Sequence, residues 1–390
     1  MPFLMIVATV GFMFGTGGSA LVAKTLGEGN KKKANELFSL FVYVSFLLGI
    51  VFAIFSIAFI RPIAIGLGAK GLLLENCVTY GRIFLCALPF YVLQLLFQSF
   101  FVTAEKPQLG LFVTILAGIT NMVLDAVLVM GLPQDYKLIG AALATATSQV
   151  VGGSIPLVYF FRKNSSTLCL GKTKWDLKAI GKACLNGSSE FMSNISMSVV
   201  GIIYNKQLMV YALENGVAAY GFMMYVSMIF SAAFIGYSVG TAPVIGFHFG
   251  AQNKNELKSI LRKSLILIGC FSILMVFLSE ISTIPLAKIF VGYDKELLEL
   301  TVSGFHIFAL SFLFMGFSIF GSSFFTALND GLISALISFL RTLVFQILFV
   351  LVLPIIFGID GIWFSIVIAE FMSLVLTFFF LKFKQKKYGY

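Results

Sequence analysis

The stretch Gly15–Leu37, GTGGSALVAKTLGEGNKKKANEL, reads as the end of one membrane helix and the start of the next. Small residues let helices approach closely, and glycine favours a helix stop. The lysines that follow mark a loop on the water side. A kindred stretch, Gly240–Ile260, GTAPVIGFHFGAQNKNELKSI, lies in the second half of the chain. Gly27 and Gly250 stand 223 residues apart, as do Asn30/Asn253, Lys31/Lys254 and Gly81/Gly304. FQSFFVTA (97–104) falls over FGSSFFTA (320–327) at the same offset. Pro133/Pro354, Gly140/Gly361 and Gln149/Glu370 fit an offset of 221. The chain is a repeat.

Composition says what is repeated. Of 390 residues, 59% are hydrophobic and only 11% charged, with 44 Phe. A soluble surface needs far more charge than that, whereas lipid replaces water around a membrane-embedded chain. Eleven apolar runs are long enough to span a ~30 Å hydrocarbon core. They cover 1–23, 36–62, 76–103, 109–132, 138–161, 178–213, 217–249, 259–291, 297–327, 331–357 and 360–382. The expected fold is an all-α polytopic membrane protein.

Of the 27 basic residues, 19 gather in the loops after the first, third, fifth, seventh and ninth spans and in the tail, against 6 on the opposite side. That asymmetry places those loops and the KFKQKK tail in the cytoplasm, and Met1 outside. The net charge of +10 is therefore a topology signal, with no nucleic-acid partner implied. No signal peptide is read at the start. The scattered Cys77, Cys86, Cys169, Cys184 and Cys270 read as small buried hydrophobes.

Corresponding spans of the two halves are six apart, so both halves keep one orientation, as in transporters built from parallel repeats. The expected domains are an N-terminal bundle (1–162), a cytoplasmic linker (163–177) and a C-terminal bundle (178–390) with a basic tail. The span at 178–213 has no partner, since its equivalent would precede Met1. A twelve-helix plan follows, with eleven spans present here and the first absent from this chain.

Asn121 and Asp125 are four apart and share one helix face. Glu190 and Asn194 repeat that spacing. A charge at mid-membrane costs ~2.5–3.5 kcal/mol even on a lenient scale, so such residues usually face a cavity and carry function. Lys206 and Arg341 also fall within spans, where the plainer reading for each is pairing with a carboxylate or snorkelling to the interface; Glu370 is a candidate partner by repeat position. His248 and His306 lack metal-binding spacing and read as packing residues with satisfied hydrogen bonds. GSALVAKT (18–25) mimics a phosphate loop, but Ala23 stands where glycine is needed and the stretch ends an apolar helix. No enzyme motif is present in the spans.

Together GTGGSALVAKTLGEGNKKKANE, NMVLDAVLV (121–129), IGAALATATSQ (139–149), GSSEFMSNIS (187–196) and APVIGFHFGAQNK (242–254) resemble the multidrug and toxic compound extrusion (MATE) family. The resemblance implies two six-helix bundles, a central cavity, and antiport of organic, cationic or amphiphilic compounds against Na+ or H+. It implies a cation site from Asn121, Asp125 and a threonine early in the next helix, with Thr145 the best match and Thr147 the runner-up. It also implies substrate or coupling roles for Glu190 and Asn194. No cofactor beyond the coupling ion and no obligate protein partner is expected; the partners are small organic substrates and the bilayer of the cell membrane. The alternatives are a lipid-linked oligosaccharide flippase of similar plan, which would need cationic side chains for phosphates, or a non-transporting remnant.

Overall fold

The computed structural model describes residues 2–66 and 68–390. The expected exterior position of Met1 lies outside them. The described residues form α-helices joined by short turns, with no strand among them. By contacts the chain divides into two compact units, Met1–Gly187 and Ser188–Tyr390. The first unit holds α1 (Pro2–Gly27), α2 (Lys31–Gly66), α3 (Gly71–Cys86), α4 (Leu88–Thr103), α5 (Pro107–Gly131), α6 (Lys137–Phe161) and the first turns of α7 (Leu177–Tyr211). The second holds the rest of α7, then α8 (Leu213–Gly250), α9 (Lys254–Val291), α10 (Lys295–Ala309), α11 (Phe312–Ala327), α12 (Gly331–Phe339), α13 (Phe345–Phe357) and α14 (Ile359–Tyr388).

Three runs expected as single spans are interrupted. Helices α3 and α4 meet at 57°, and α10 and α11 at 50°. The breaks, at Ala87 and Leu310, lie at the repeat offset of 223. Between α12 and α13 the helix widens into a π turn, Leu340–Val344. Among the described residues seven helices are long and apolar enough to cross a membrane, and nine when each bent pair counts as one span. The expected eleven include α1 and α7, which are helical but stand outside those nine.

The opening motif folds the same way in both units. Helix α1 ends at Gly27 and α8 at Gly250. Gly29 and Gln252 then take φ of 80° and 54°, in the left-handed region that turns the chain sharply. The next residue caps the following helix. Asn30 Oδ1 accepts from the Lys33 N–H at 3.0 Å, and Asn253 Oδ1 from the Glu256 N–H at 3.2 Å. Such a cap satisfies a donor that the helix start leaves free, at ~1 kcal/mol.

Each unit buries an aromatic core. In the first, Phe38 packs against Phe97, Phe100 and Phe160, with Phe38 and Phe100 centroids 4.9 Å apart. In the second, Phe305, Phe308 and Phe312 form a continuous file. Large apolar side chains also stand outward, Met130 at 84% and Ile355 at 77% exposure. Hydroxyls are buried instead, many bonded to the carbonyl one turn back, as Ser39, Thr103 and Thr283 are. Apolar outside with polar groups inside is the distribution that lipid demands.

Segment 163–176 straps onto α2 in the first unit. Asn35 Oδ1 accepts from the Cys169 N–H at 2.8 Å, Ser39 Oγ from the Gly171 N–H at 3.0 Å, and Thr173 Oγ1 donates to the Glu36 carbonyl at 2.7 Å. Asp176 then caps α7 through the Ala179 N–H, and that bond holds its carboxyl below the usual range.

Candidate functional site

The first unit contains an open cleft of about 310 Å³ walled by α4, α5 and α6. Tyr91 and Gln94 come from α4, Thr114, Ala117, Gly118 and Asn121 from α5, and Thr145, Ser148 and Gln149 from α6. Close helix approach builds it. A methyl group at Gly153 would fall 2.2 Å from the Phe90 carbonyl oxygen, and one at Gly152 would fall 2.5 Å from Gln94 Cδ. Those two glycines let α6 press against α4 and set the Gln94 amide at the wall.

The cleft is polar but carries no charge on its wall. Thr145 Oγ1 donates to the Ala141 carbonyl at 3.1 Å and lies 3.4 Å from the Tyr80 hydroxyl. Gln94 Oε1 and Gln149 Oε1 are buried without a hydrogen-bond partner among the described residues. Leaving such a group unpaired costs ~1–3 kcal/mol, so the wall has unspent acceptors. Oxygen acceptors of this kind suit a hard monovalent cation or a ligand with N–H or O–H groups.

Asn121 and Thr145 are thus brought to one cleft. Asp125 stands one turn further along α5, half-buried and off the cleft wall, with no hydrogen bond or ion pair among the described residues. Thr147 is exposed. In the second unit Glu190 is half-buried, and Asn194 spends its amide on the Glu190 carbonyl at 2.8 Å, so the two side chains do not pair with each other.

A polar cluster in the second unit bears out the pairing that repeat position offered for Glu370. Arg341, carried by the π turn, donates through Nε to both carboxylate oxygens of Glu370, at 3.0 and 2.8 Å. The pair is buried, its side chains 16% and 5% exposed. Nearby, Tyr204 donates to Gln346 Oε1 at 2.7 Å and lies 3.2 Å from Ser365 Oγ. Arg341 therefore does not snorkel; removing its charge from lipid by pairing costs less than reaching for water. The repeat match of Gln149 with Glu370 was the available signal.

Other expectations are corrected. Four of the five cysteines are exposed and Cys184 is half-buried; Cys77, Cys86 and Cys270 stand on helices, where a lipid-facing surface does not penalise a thiol, and Cys169 lies in the strap. His306 bonds Glu280 through Nδ1, 2.5 Å apart, but His248 Nδ1 is buried with no partner among the described residues, so only one of the two histidines is satisfied at that atom. Lys206 is exposed.

The MatE family profile matches residues 1–127 and 191–352, well over half of the chain, and the chain belongs to that family. It is a multi-pass membrane transporter, not an enzyme. A Staphylococcus haemolyticus protein named multidrug export protein MepA is 26% identical over 390 residues, covering 97% of this chain and 83% of its own length. A Staphylococcus aureus protein of the same name is 24% identical, covering 95% and 81%. Among solved structures, an outward-facing multidrug resistance MATE family transporter superposes with a TM-score of 0.92 at 21% identity, covering 99% of this chain and 86% of that one. A MOP superfamily transporter from Pyrococcus furiosus gives 0.92 at 21% identity, covering 100% and 87%. These superpositions carry the fold.

Proposed function

We propose that this chain is a secondary-active exporter of organic, cationic or amphiphilic compounds, driven by Na+ or H+ moving inward. The observation that carries the reading is the uncharged polar cleft of the first unit, with one unpaired intramembrane carboxylate, Asp125, a turn away from Asn121. Asp125 holds the coupling cation, and Asn121 and Thr145 supply neutral oxygens beside it. Burial favours the protonated acid and a bound cation favours the carboxylate, so one group can exchange either ion. Glu190 and Asn194 serve substrate or coupling in the second unit. The relatives named for multidrug export support the substrate class.

On this reading the protein sits in the cell membrane with its basic loops and tail in the cytoplasm. A phosphate-carrying lipid cargo is disfavoured, because Arg341 is committed to Glu370 and Lys206 is exposed. The test is efflux of ethidium from cells making this chain or its Asp125→Asn variant. Efflux lost in the variant supports the reading; equal efflux from both, or none from either, sinks it.

A further inference from the structure

We propose that segment 162–182 of the first unit is a membrane-surface anchor, seating Trp175 and Leu177 in the headgroup layer and binding anionic phospholipid through its lysines. Such an anchor needs only a chain that spans a bilayer, and is independent of what the protein exports.

The protein itself fixes the height of this segment. Asn35 and Ser39 accept from its Cys169 and Gly171 N–H groups, and Thr173 donates to the Glu36 carbonyl. The Tyr43 hydroxyl adds a bond to the Gly171 carbonyl at 3.1 Å. All four partners lie on α2, between its opening Lys31–Lys33 and the outward-facing Leu47. Trp175 stands between two ties, Thr173 on Glu36 and Asp176 at 3.6 Å from Lys33. With a rise of 1.5 Å per residue, Lys33 and Glu36 are only about 5 Å apart along α2. The apolar run of α2 begins at residue 36. Trp175 is thus held where α2 passes from lysines to apolar residues, the level at which tryptophan collects at a membrane surface.

What the segment turns outward suits that level. Trp175 and Leu177 are 71% and 78% exposed, so neither is spent on the protein core. Arg162, Lys163, Lys172, Lys174, Lys178 and Lys182 are exposed too, and none forms an ion pair among the described residues. The one acid of the segment, Asp176, is already committed, capping α7 through the Ala179 N–H and facing Lys33. Six cations therefore lack a counter-charge beside two exposed apolar side chains. An anionic phospholipid surface supplies both negative charge and an apolar layer, whereas a soluble anion supplies only the first. The charge complementarity chooses the lipid.

The chain has two tryptophans, and Trp363 is fully buried, so Trp363→Phe leaves Trp175 as the single emitter. The full chain is placed in nanodiscs of phosphatidylcholine, alone or with phosphatidylglycerol. Lipids brominated high on the acyl chain quench from the membrane, and acrylamide quenches from water. With phosphatidylglycerol present, bromolipid quenching of Trp175 should be about twofold stronger and acrylamide quenching about twofold weaker than in neutral discs. Lys172→Gln, Lys174→Gln and Lys178→Gln together should abolish that difference. Glycerol phosphate added to neutral discs should change nothing. Should Trp363→Phe not fold, subtracting the emission of Trp175→Phe from that of the parent isolates the same signal. Equal quenching in the two discs, as expected of a face kept for a soluble protein, overturns the proposal. So does a lipid difference that survives the lysine substitutions, or a response to glycerol phosphate.

Discussion

The two units share a repeat but treat its interior in opposite ways. At the equivalent positions of α6 and α14 stand Gln149 and Glu370. Opposite Gln149, α5 presents Ala117, Gly118 and Asn121, and the space stays open as a cleft of about 310 Å³. Opposite Glu370 stands Arg341, and the pair fills the second unit's interior with a salt bridge. One unit keeps unpaired acceptors for a guest; the other supplies its own tethered cation. A single scaffold can therefore hold an open cleft or a clamped electrostatic cluster, depending on whether an amide faces small residues or an acid faces an arginine.

The sharpest way to break that contrast is Arg341→Met. It strands a buried carboxylate, and losing one partner of a buried pair costs ~3–5 kcal/mol. We expect a marked fall in the unfolding temperature in detergent, largely restored when Glu370→Leu is added. Next in size is Asp125→Asn. No ion pair depends on Asp125, so folding and yield should hold while ion-driven ethidium efflux falls at least tenfold, ~1.4 kcal/mol in transition-state terms. The comparison is sharpened by Gln149→Leu, which removes an unpaired acceptor. Thermal stability of the free protein should stay level or rise by up to ~1 kcal/mol while substrate affinity drops, the reverse of Glu370→Leu alone.

The smallest effect belongs to Asp176→Ala, outside both interiors. The bond from the Ala179 N–H lowers this carboxyl below its unfolded value of ~3.9, so its stabilisation is present above that pH and is lost as pH falls through the lowered value. The variant should therefore lower the unfolding temperature slightly at neutral pH and match the parent in strong acid.

Much of this was legible without coordinates. Hydrophobic runs mark helices because a bilayer leaves backbone groups no other partner. Matched residues at an offset of 223 exposed the repeat, and the Gly29–Asn30 and Gln252–Asn253 turns are the same device read from the motif itself. The bends were not legible. Pro89 lies near the first, yet its repeat position holds Phe312 and the bend recurs at 50°. Pro89 therefore does not account for both bends. Nor was the choice between Thr145 and Thr147 open to spacing, since it depends on the rotation of α6 set by Gly152 and Gly153 against α4.

By itself the sequence determined the class, the number of apolar runs, the repeat and the identity of the intramembrane acids, because each is a property of composition along one dimension. Only the tertiary structure decided that Arg341 pairs with Glu370, that Asn121 and Thr145 share a cleft, and that Asp125 stands just outside its wall. Those are distances between helices far apart in the chain. Helix rotation and close approach set them, and hydrophobicity alone leaves both free.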